Sequence, residues 1–346
     1  AFGGVTKEIN LTKGESRMKN LKMLSLMAAV LLLGTQGYAQ ETEEGAESSM
    51  TIEDAAGTTN TVPGEGDMDD VITNKKMRAE AGSKSKYSFS TSLGYSGGTV
   101  EKPLAEERPN ITQGTAATAK ALASANVSGR YRMTPTESLS AGIGIRWIAP
   151  LETDGVEDYN GDRVDASNPY LSFNKVYSWS GVQSVLSADV TAYTNSNRLD
   201  EGYVANLGIS QNNIYDIGST GLGVGLLVAV GNTFYNKTGF YKNDKKGNPY
   251  DYEDITSDYS FGAYPFLEYV INDTFNLRTI SGVWVYEHIR SESNAMTFEK
   301  NVIYQSVGLG ISMGRNFYLY PNVQFIPEDI RADRTNVALS ATINLF

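Results

Sequence analysis

Apolar and polar residues alternate with a period of two along most of the chain after Lys86. In the clearest example, large apolar residues occupy every second position: Leu222, Val224, Leu226, Val228 and Val230. The positions between them hold glycine or alanine, except for Leu227. Such alternation is typical of β-strands with two unlike faces. Because glycine adds no side-chain volume, the small face cannot form the core of a soluble protein. We therefore predict that the large apolar residues face outward.

Twelve such segments predict an all-β fold, a 12-stranded antiparallel transmembrane β-barrel over residues 86–346. Short connections such as residues 180–183 and 314–316 alternate with long ones such as residues 98–119 and 236–257. Apolar residues outward, small polar residues inward and an even strand number are typical of bacterial outer-membrane barrels. In that arrangement the short turns are periplasmic, so we expect an outer-membrane location with both termini in the periplasm.

The last predicted strand covers residues 335–346. Its apolar residues share one parity, and they are Val337, Leu339, Ala341, Ile343 and Leu345. A final strand ending on an aromatic residue resembles the C-terminal signature of Gram-negative outer-membrane barrels. The terminal aromatic usually belongs to the apolar face, whereas Phe346 shares its parity with Asn344.

Residues 18–39 have the parts of a secretory signal peptide. Lys19 and Lys22 precede a short apolar core, and small residues precede the expected cleavage after Ala39. Residues 1–17 would then be an upstream, non-native segment. Cleavage would remove five basic and two acidic residues from a chain whose formal net charge is −11. The remaining acidic chain is unsuited to bind nucleic acid.

Residues 40–85 are predicted to be a periplasmic acidic linker. Residues 41–66 are acidic and poor in apolar side chains, which is typical of a solvated segment. Residues 67–81 begin with Asp and carry Lys75, Lys76 and Arg78 towards their end, which favours a short helix. Its apolar stripe is thin, so we expect a solvated helix. The chain contains no cysteine and no apolar run of the roughly 18 residues that a membrane helix needs.

The inward positions of the predicted barrel are mostly serine, glycine, asparagine and threonine. Charged residues also occur there, and the predicted pore-lining set is Arg130, Arg132, Arg146, Asp189, Glu268 and Arg278. Small polar side chains favour a narrow water-filled pore, which the arginines would bias towards anions. The alternative is an internal ion-pair network of the same residues that braces a closed barrel. The sequence leaves both interpretations open.

Two other features are candidate sites of chemistry. His288 is the only histidine, and it lies near Trp284 and Tyr286 without a serine in a known catalytic motif. We interpret it as part of the aromatic belt at the membrane interface. The loop 154–165 resembles the start of a calcium loop, but its glycine is displaced and the distal glutamate is missing. We therefore predict no catalytic residues, no metal site, no cofactor and no enzyme activity.

Residues 86–346 resemble porin-like outer-membrane barrels. More narrowly, residues 72–98 (ITNKKMRAEAGSKSKYSFSTSLGYSGG) and 101–112 (EKPLAEERPNIT) resemble the porin-like major outer-membrane proteins of predatory bacteria. That resemblance implies a homo-oligomer, a ring larger than a trimer, that encloses lipid. The expected function is passive diffusion of small polar solutes through a narrow pore, with phospholipid and lipopolysaccharide as lipid partners. The alternatives are a structural lipid-enclosing ring of closed barrels and, less favoured, an outer-membrane enzyme.

Overall fold

The computed structural model describes residues 71–114, 118–151, 163–238, 241–243, 249–251, 253 and 256–345. The predicted signal peptide, the acidic linker up to residue 70 and Phe346 lie outside these residues. Within the described part of the chain, no helix is both long and apolar enough to cross a bilayer.

Twelve antiparallel strands form a closed barrel, as predicted. The strands are β1 (Tyr87–Thr99), β2 (Leu122–Arg132), β3 (Glu137–Ile148), β4 (Tyr170–Trp179), β5 (Val182–Ala192), β6 (Tyr203–Asp216), β7 (Leu222–Tyr235), β8 (Ser257–Val270), β9 (Phe275–Gly282 continued by Trp284–Ile289), β10 (Tyr304–Ser312), β11 (Phe317–Phe325) and β12 (Asn336–Asn344). Each strand pairs with its neighbours in sequence, and β12 pairs with β1 from Ser90↔Asn344 to Thr99↔Asn336. This last pairing closes the sheet, so no strand edge is left for lipid.

Several short helices and strands lie outside the twelve barrel strands. They are α1 (Lys75–Ala81), α2 (Ser196–Asp200), a 3-10 turn (Ala332–Arg334), the paired segments Glu107–Pro109 with Thr118–Lys120 and Tyr241–Asn243 with Pro249–Asp251, and the short strands Val164–Ala166 and Glu299–Lys300. The tight turns, such as residues 180–181 and 313–316, lie at one end of the barrel, which we call the turn rim. The longer connections, such as residues 100–121 and 236–256, lie at the opposite end, which we call the loop rim.

Side-chain exposure follows the predicted alternation. Outward positions of β1, β2 and β3 carry exposed large residues such as Phe89, Val127 and Ile143. Their inward neighbours Ser90 and Ser128 are buried. The outer surface is therefore apolar and the inner surface polar on this side of the barrel, the reverse of a soluble β-sandwich.

The alternation in the sequence predicts that Phe275, Leu277, Val283 and Val285 face outward and that Trp284 and Tyr286 face inward. This prediction is wrong in the second half of β9. The ladder is interrupted at Val283, after which Trp284 is 48% exposed and Val285 only 3% exposed. Trp284 pairs with Ala263 on the outer face, whereas Val285 pairs with inward Gly262. A one-residue irregularity reverses the face of every later residue in a strand, so Trp284 faces outward and Val285 faces the lumen.

The glycine file of β7 makes room for inward side chains of β8. A Cβ added at Gly225 would overlap the Phe266 ring, whereas at Gly231 its nearest neighbour would be Ser260 Oγ at 3.4 Å. We expect Gly225→Ala to lower the free energy of unfolding by about 1–3 kcal/mol, because Phe266 is buried and cannot move aside freely.

Gly231→Ala is the matched control, and we expect a change of about 0.5 kcal/mol or less at this nearly open site. Urea unfolding in lipid vesicles would measure both variants. Equal stability of the two would show that the glycine file is not a packing requirement.

Candidate functional site

The segment 71–82, which we call the plug, lies inside the barrel at the turn rim. Ile72 and Met77 are almost fully buried and pack against lumen-facing Val176, Ile214 and Phe266. These three residues belong to β4, β6 and β8, so the plug reaches several walls. Burial of an apolar side chain of this size contributes roughly 1.5–3 kcal/mol. The plug is therefore held by an apolar core inside the lumen.

The start of the plug is fixed by polar contacts with the wall. Gln183 Oε1 accepts hydrogen bonds from the backbone N–H groups of Thr73 (2.7 Å) and Asn74 (2.9 Å). The Asn74 side chain caps α1 by accepting from Met77 N at 3.0 Å. Gln183 also donates to Asp216 Oδ2 at 2.7 Å, which orients its amide. Residues Lys75–Ala81 therefore form a helix that Asn74 caps, and Gln183 of β5 binds Asn74.

A buried ion pair lies directly beside the cap. Arg278 Nη1 donates to Glu268 Oε2 at 2.9 Å, and both side chains are almost completely buried. Glu268 Oε1 accepts from Asn74 Nδ2 at 2.9 Å. The Arg278 guanidinium also lies over the Phe266 ring, 4.1 Å from its centroid. Glu268 thus links the barrel wall to the plug through one carboxylate.

The end of the plug is bound on another part of the wall. Arg130 Nη2 donates to the carbonyl of Glu80 (3.0 Å), and Arg315 Nη1 donates to that of Gly82 (2.7 Å). Asn344 Nδ2 donates to the carbonyl of Ala79 at 3.2 Å. Side chains of β2, β12 and the turn before β11 therefore satisfy the carbonyls at the C-terminal end of α1.

The expectation of a solvated helix is therefore wrong for Lys75–Ala81. Met77, Ala79 and Ala81 are buried. The thin apolar stripe suffices because the lumen supplies both apolar contacts and hydrogen-bond partners to one short helix.

A second segment enters the lumen from the loop rim. Residues 100–114, the first part of the loop between β1 and β2, carry Ile111 into an apolar cluster of inward residues. The cluster comprises Ile111, Leu227, Ala229, Tyr264, Val285, Tyr304 and Ile326. Ile280 packs against both this cluster and the plug cluster. One side of the lumen, along β6–β10, is thus filled with apolar side chains.

Polar contacts hold this loop in place. Arg108 Nη2 donates to Gln324 Oε1 at 2.8 Å, and Asn336 Nδ2 donates to the carbonyl of Pro109 at 2.8 Å. Lys120 bonds Glu106 (2.5 Å) and Glu107 (3.0 Å). Burial alone would lower the pKa of Lys120, but these two carboxylates outweigh it and raise the pKa. Lys120 therefore remains charged and paired at neutral pH.

The remaining inward surface is polar and half-exposed. It lies on β3–β6 towards the loop rim, and it comprises Gly142, Gly144, Arg146, Ser172, Asn174, Ser187, Asp189, Thr191 and Asn206. We call it the polar face. Among the described residues, no hydrogen bond or ion pair reaches the Asp189 carboxylate, which packs over Gly208 with Oδ2 2.7 Å from where a Cβ would lie.

The six predicted pore-lining residues divide into two groups. Arg130, Arg132, Glu268 and Arg278 are buried, with exposures between 2% and 5%. Arg130 donates to Ser140 Oγ (3.2 Å) as well as to the plug, and Arg132 donates to the carbonyl of Pro135 (3.1 Å). Arg146 and Asp189 lie on the polar face instead. Whether any of the six lines a passage stays a prediction.

No protein-family model matches the chain, and no curated protein matches it either. Solved structures do match. An outer membrane channel from Pseudomonas putida F1 is 13% identical, with a TM-score of 0.45, over 76% of this chain and 97% of that one. The NanC porin is 8% identical with a TM-score of 0.39 over 75% of this chain and 99% of its own. The KdgM porin is 11% identical with a TM-score of 0.38 over 74% and 99%.

All three are outer-membrane porins or channels. At these identities the likeness concerns the fold alone.

His288 is not an exposed belt residue. It is 3% exposed, and its Nδ1 lies 2.7 Å from Asp258 Oδ1 and its Nε2 3.3 Å from the carbonyl of Asn294. Its ring stacks on Tyr259, with centroids 4.3 Å apart. Both ring nitrogens face protein oxygens, which fits a residue that fastens the loop after β9 to β8. The calcium-like loop falls mostly on residues 152–162, outside the described residues, and the described ones contain no cluster that could hold a metal ion.

Sequence reasoning missed Asn74 and Gln183. Asn74 carries a signal, because an asparagine before Lys75–Ala81 is a strong helix cap. Gln183 carries none, since it is one polar residue among many at the start of β5. The inward orientation of Glu268 and Arg278 was predictable, because the tight turn at 271–274 sets β8 and β9 in register.

We expect Glu268→Gln to lower the free energy of unfolding by about 3–5 kcal/mol, because Arg278 would keep a buried charge without its carboxylate. The plug would also loosen, since the same carboxylate binds Asn74. Urea unfolding and limited trypsin digestion would measure both effects, with faster cleavage expected at Lys75 and Lys76.

Lys175→Gln is the matched control. Lys175 pairs with Glu137 at 2.7 Å on the outside of the barrel, where both side chains are partly exposed. Such pairs contribute about 0.2–1 kcal/mol. Equal losses in the two variants, or a plug that resists trypsin equally in both, would contradict the role given to Glu268.

Proposed function

We propose that the protein is a porin-like diffusion pore of the outer membrane, through which small polar solutes pass along the polar face. The observation that carries this proposal is the half-exposed polar surface on β3–β6, beside two apolar clusters that fill one side of the lumen. Water and polar solutes need such a lining, because apolar constrictions exclude them. The predicted anion bias is revised, since Arg130, Arg132 and Arg278 are engaged by protein acceptors.

The location and orientation are parts of the same proposal. A secretory signal at residues 18–39 would export the chain, and the barrel would then insert from the periplasm. The plug and Leu345 both lie at the turn rim. In outer-membrane barrels the short turns are periplasmic, so we assign the turn rim and both termini to the periplasm.

We further propose that the barrels form a homo-oligomer in contact with membrane lipid. The resemblance to the ring-forming, lipid-enclosing proteins of predatory bacteria motivates this part, including a ring larger than a trimer. Phospholipid and lipopolysaccharide are the lipids that such a barrel would meet. We propose no catalytic activity, because His288 is engaged by Asp258 and Asn294.

A structural ring of closed barrels is the second candidate. The observation that favours it is the contact between the two apolar clusters at Ile280, because continuous apolar packing across a lumen would exclude water. The two candidates make opposite predictions for ion conductance.

Single-channel recording in planar bilayers tests the proposal. We expect the full chain to give small, discrete steps, because the plug narrows the turn-rim mouth without covering the polar face. A variant that lacks residues 71–82 should give larger steps. Heat-modifiable migration on gels would verify that both proteins are folded.

If neither folded protein gave conductance steps, the pore would be excluded and the closed ring favoured. If only the variant without residues 71–82 gave conductance steps, the plug would have to leave the lumen before solutes could pass.

Ion selectivity tests the polar face. We expect Asp189→Asn to lower the cation-to-anion permeability ratio and Arg146→Gln to raise it. A unit charge about 5 Å from an ion in water is worth roughly 0.8 kcal/mol, or about fourfold in the permeability of each ion, with opposite signs for the cation and the anion. Reversal potentials in a salt gradient would measure the change, with outward-facing Lys175→Gln as the control. Unchanged reversal potentials in both lumen variants would remove Asp189 and Arg146 from the passage.

A further inference from the structure

The inner wall is recessed beside the Asp189 carboxylate. Asp189 of β5 pairs with Gly208 of β6, which pairs in turn with Gly231 of β7, so two neighbouring inward positions carry no side chain. Gly208 lets the carboxylate lie close against the wall. A Cβ added at Gly231 would meet its nearest neighbour, Ser260 Oγ, only at 3.4 Å. The polar face therefore continues into a depression that reaches from β4 to β7.

Hydrogen-bonding groups border this depression on its loop-rim side. Thr191 of β5 pairs with Asn206 of β6, and both side chains are half-buried. Asn206 Nδ2 donates to Thr233 Oγ1 at 3.0 Å. Within the described part of the chain, no hydrogen bond reaches Asn206 Oδ1, the Thr191 hydroxyl or the Asp189 carboxylate. The depression thus presents two kinds of acceptor oxygen and a hydroxyl that can donate or accept.

An aromatic ring lies next to these groups. Tyr170 of β4 pairs with Gly142 of β3 on one side and with Thr191 of β5 on the other. Its ring covers Gly142, because Cε1 lies 2.6 Å from where a Cβ at that glycine would lie. Tyr170 and Asp189 occupy diagonal inward positions, which lie about 7–8 Å apart in a β-ladder. A half-buried ring and a carboxylate therefore face the same small volume.

Three further tyrosines lie at the loop-rim end of β5–β7, but their rings pack on one another. The centroids of Tyr193 and Tyr203 are 5.0 Å apart, and those of Tyr203 and Tyr235 are 4.6 Å apart. The Arg198 guanidinium lies 4.5 Å from the Tyr203 centroid, and that of Arg290 lies 3.8 Å from the Tyr235 centroid. These rings form a packed border, which makes Tyr170 the ring placed to contact a solute in the depression.

We infer that the depression binds a neutral saccharide. One face of a sugar ring carries C–H groups, which pack on an aromatic ring, and its hydroxyl groups donate to carboxylate and amide oxygens. Tyr170, Asp189 and Asn206 supply both kinds of contact from three neighbouring strands. A recess with an aromatic surface and a few convergent polar groups is typical of a small-molecule site. This inference rests on the proposed pore and adds the class of solute that the polar face selects.

Two other classes of solute fit the depression less well. An acidic sugar would bring its own carboxylate towards Asp189, and like charges repel. A small organic cation would pair with Asp189 but could not donate to Asn206 Oδ1 and Thr191 as several hydroxyl groups can. Only a neutral polyhydroxylated solute uses the ring, the carboxylate, the amide and the hydroxyl together.

Block of the single-channel current by maltose tests the subsite in the full chain. We expect maltose to lower the mean current at concentrations where a polyethylene glycol of equal hydrodynamic size changes only the bulk conductivity. Glucuronate and choline are the charged comparisons, and both should block more weakly. Saturation-transfer NMR of maltose with the folded protein, in a detergent without a sugar headgroup, measures binding independently of conductance.

Two variants test the residues. Tyr170→Ala and Asp189→Asn should each raise the apparent dissociation constant for maltose roughly tenfold, through loss of the stacking surface and of a charge-assisted hydrogen bond. Tyr170→Phe keeps the ring and should retain the affinity. Tyr131→Ala, which removes an outward tyrosine of β2, is the matched control. Asp189→Asn preserves side-chain size, so it tests the subsite even where Tyr170→Ala does not fold.

The outcomes separate the subsite from the pore. Conductance steps that maltose does not alter, with no saturation transfer, would overturn the subsite and leave the pore in place. Equal maltose affinity in the full chain and in both lumen variants, or stronger block by choline than by maltose, would also overturn it. Maltose binding that Asp189→Asn weakens, in a protein that gives no conductance steps, would support the subsite and exclude the pore.

Discussion

The structure depends on one constraint: backbone N–H and C=O groups that face hydrocarbon must be bonded within the protein. A sheet meets this constraint only by closing, and here the pairing of β12 with β1 closes it. Closure determines the alternation of apolar and polar residues along each strand, because each strand then has one face towards lipid and one towards the lumen. The apolar outer surface, the polar serines of β1 and β2 and the two lumen clusters all follow from that division.

Much of the barrel was predictable because lipid imposes a strict period of two. Even the anomaly at Leu227 was visible in the sequence, and the structure explains it as part of the apolar cluster around Ile111. The reversal at Val283 was not predictable, because an interrupted ladder depends on pairing with β8 and not on residue type. Phe346, whose parity is unusual, lies outside the described residues.

The lumen was harder to predict, because its contents come from segments that lack the strand pattern. The plug carries few apolar residues, and its stability arises from partners such as Gln183 and Glu268 that are distant in sequence. From the sequence alone, bracing and passage are alternatives. In the structure Arg130 and Arg278 bind protein acceptors at the turn-rim end, while Arg146 and Asp189 lie on the half-exposed polar face.

The contact between Ala79 and Asn344 joins residues 265 positions apart in the chain. Residues 71–82 precede the first strand, yet the groups that bind them are distributed from β2 to the last residue of β12. The plug therefore completes its contacts only when the final strand is in place, and such long-range contacts are slow to form. A fully bonded plug thus implies a barrel in which β12 has already paired with β1.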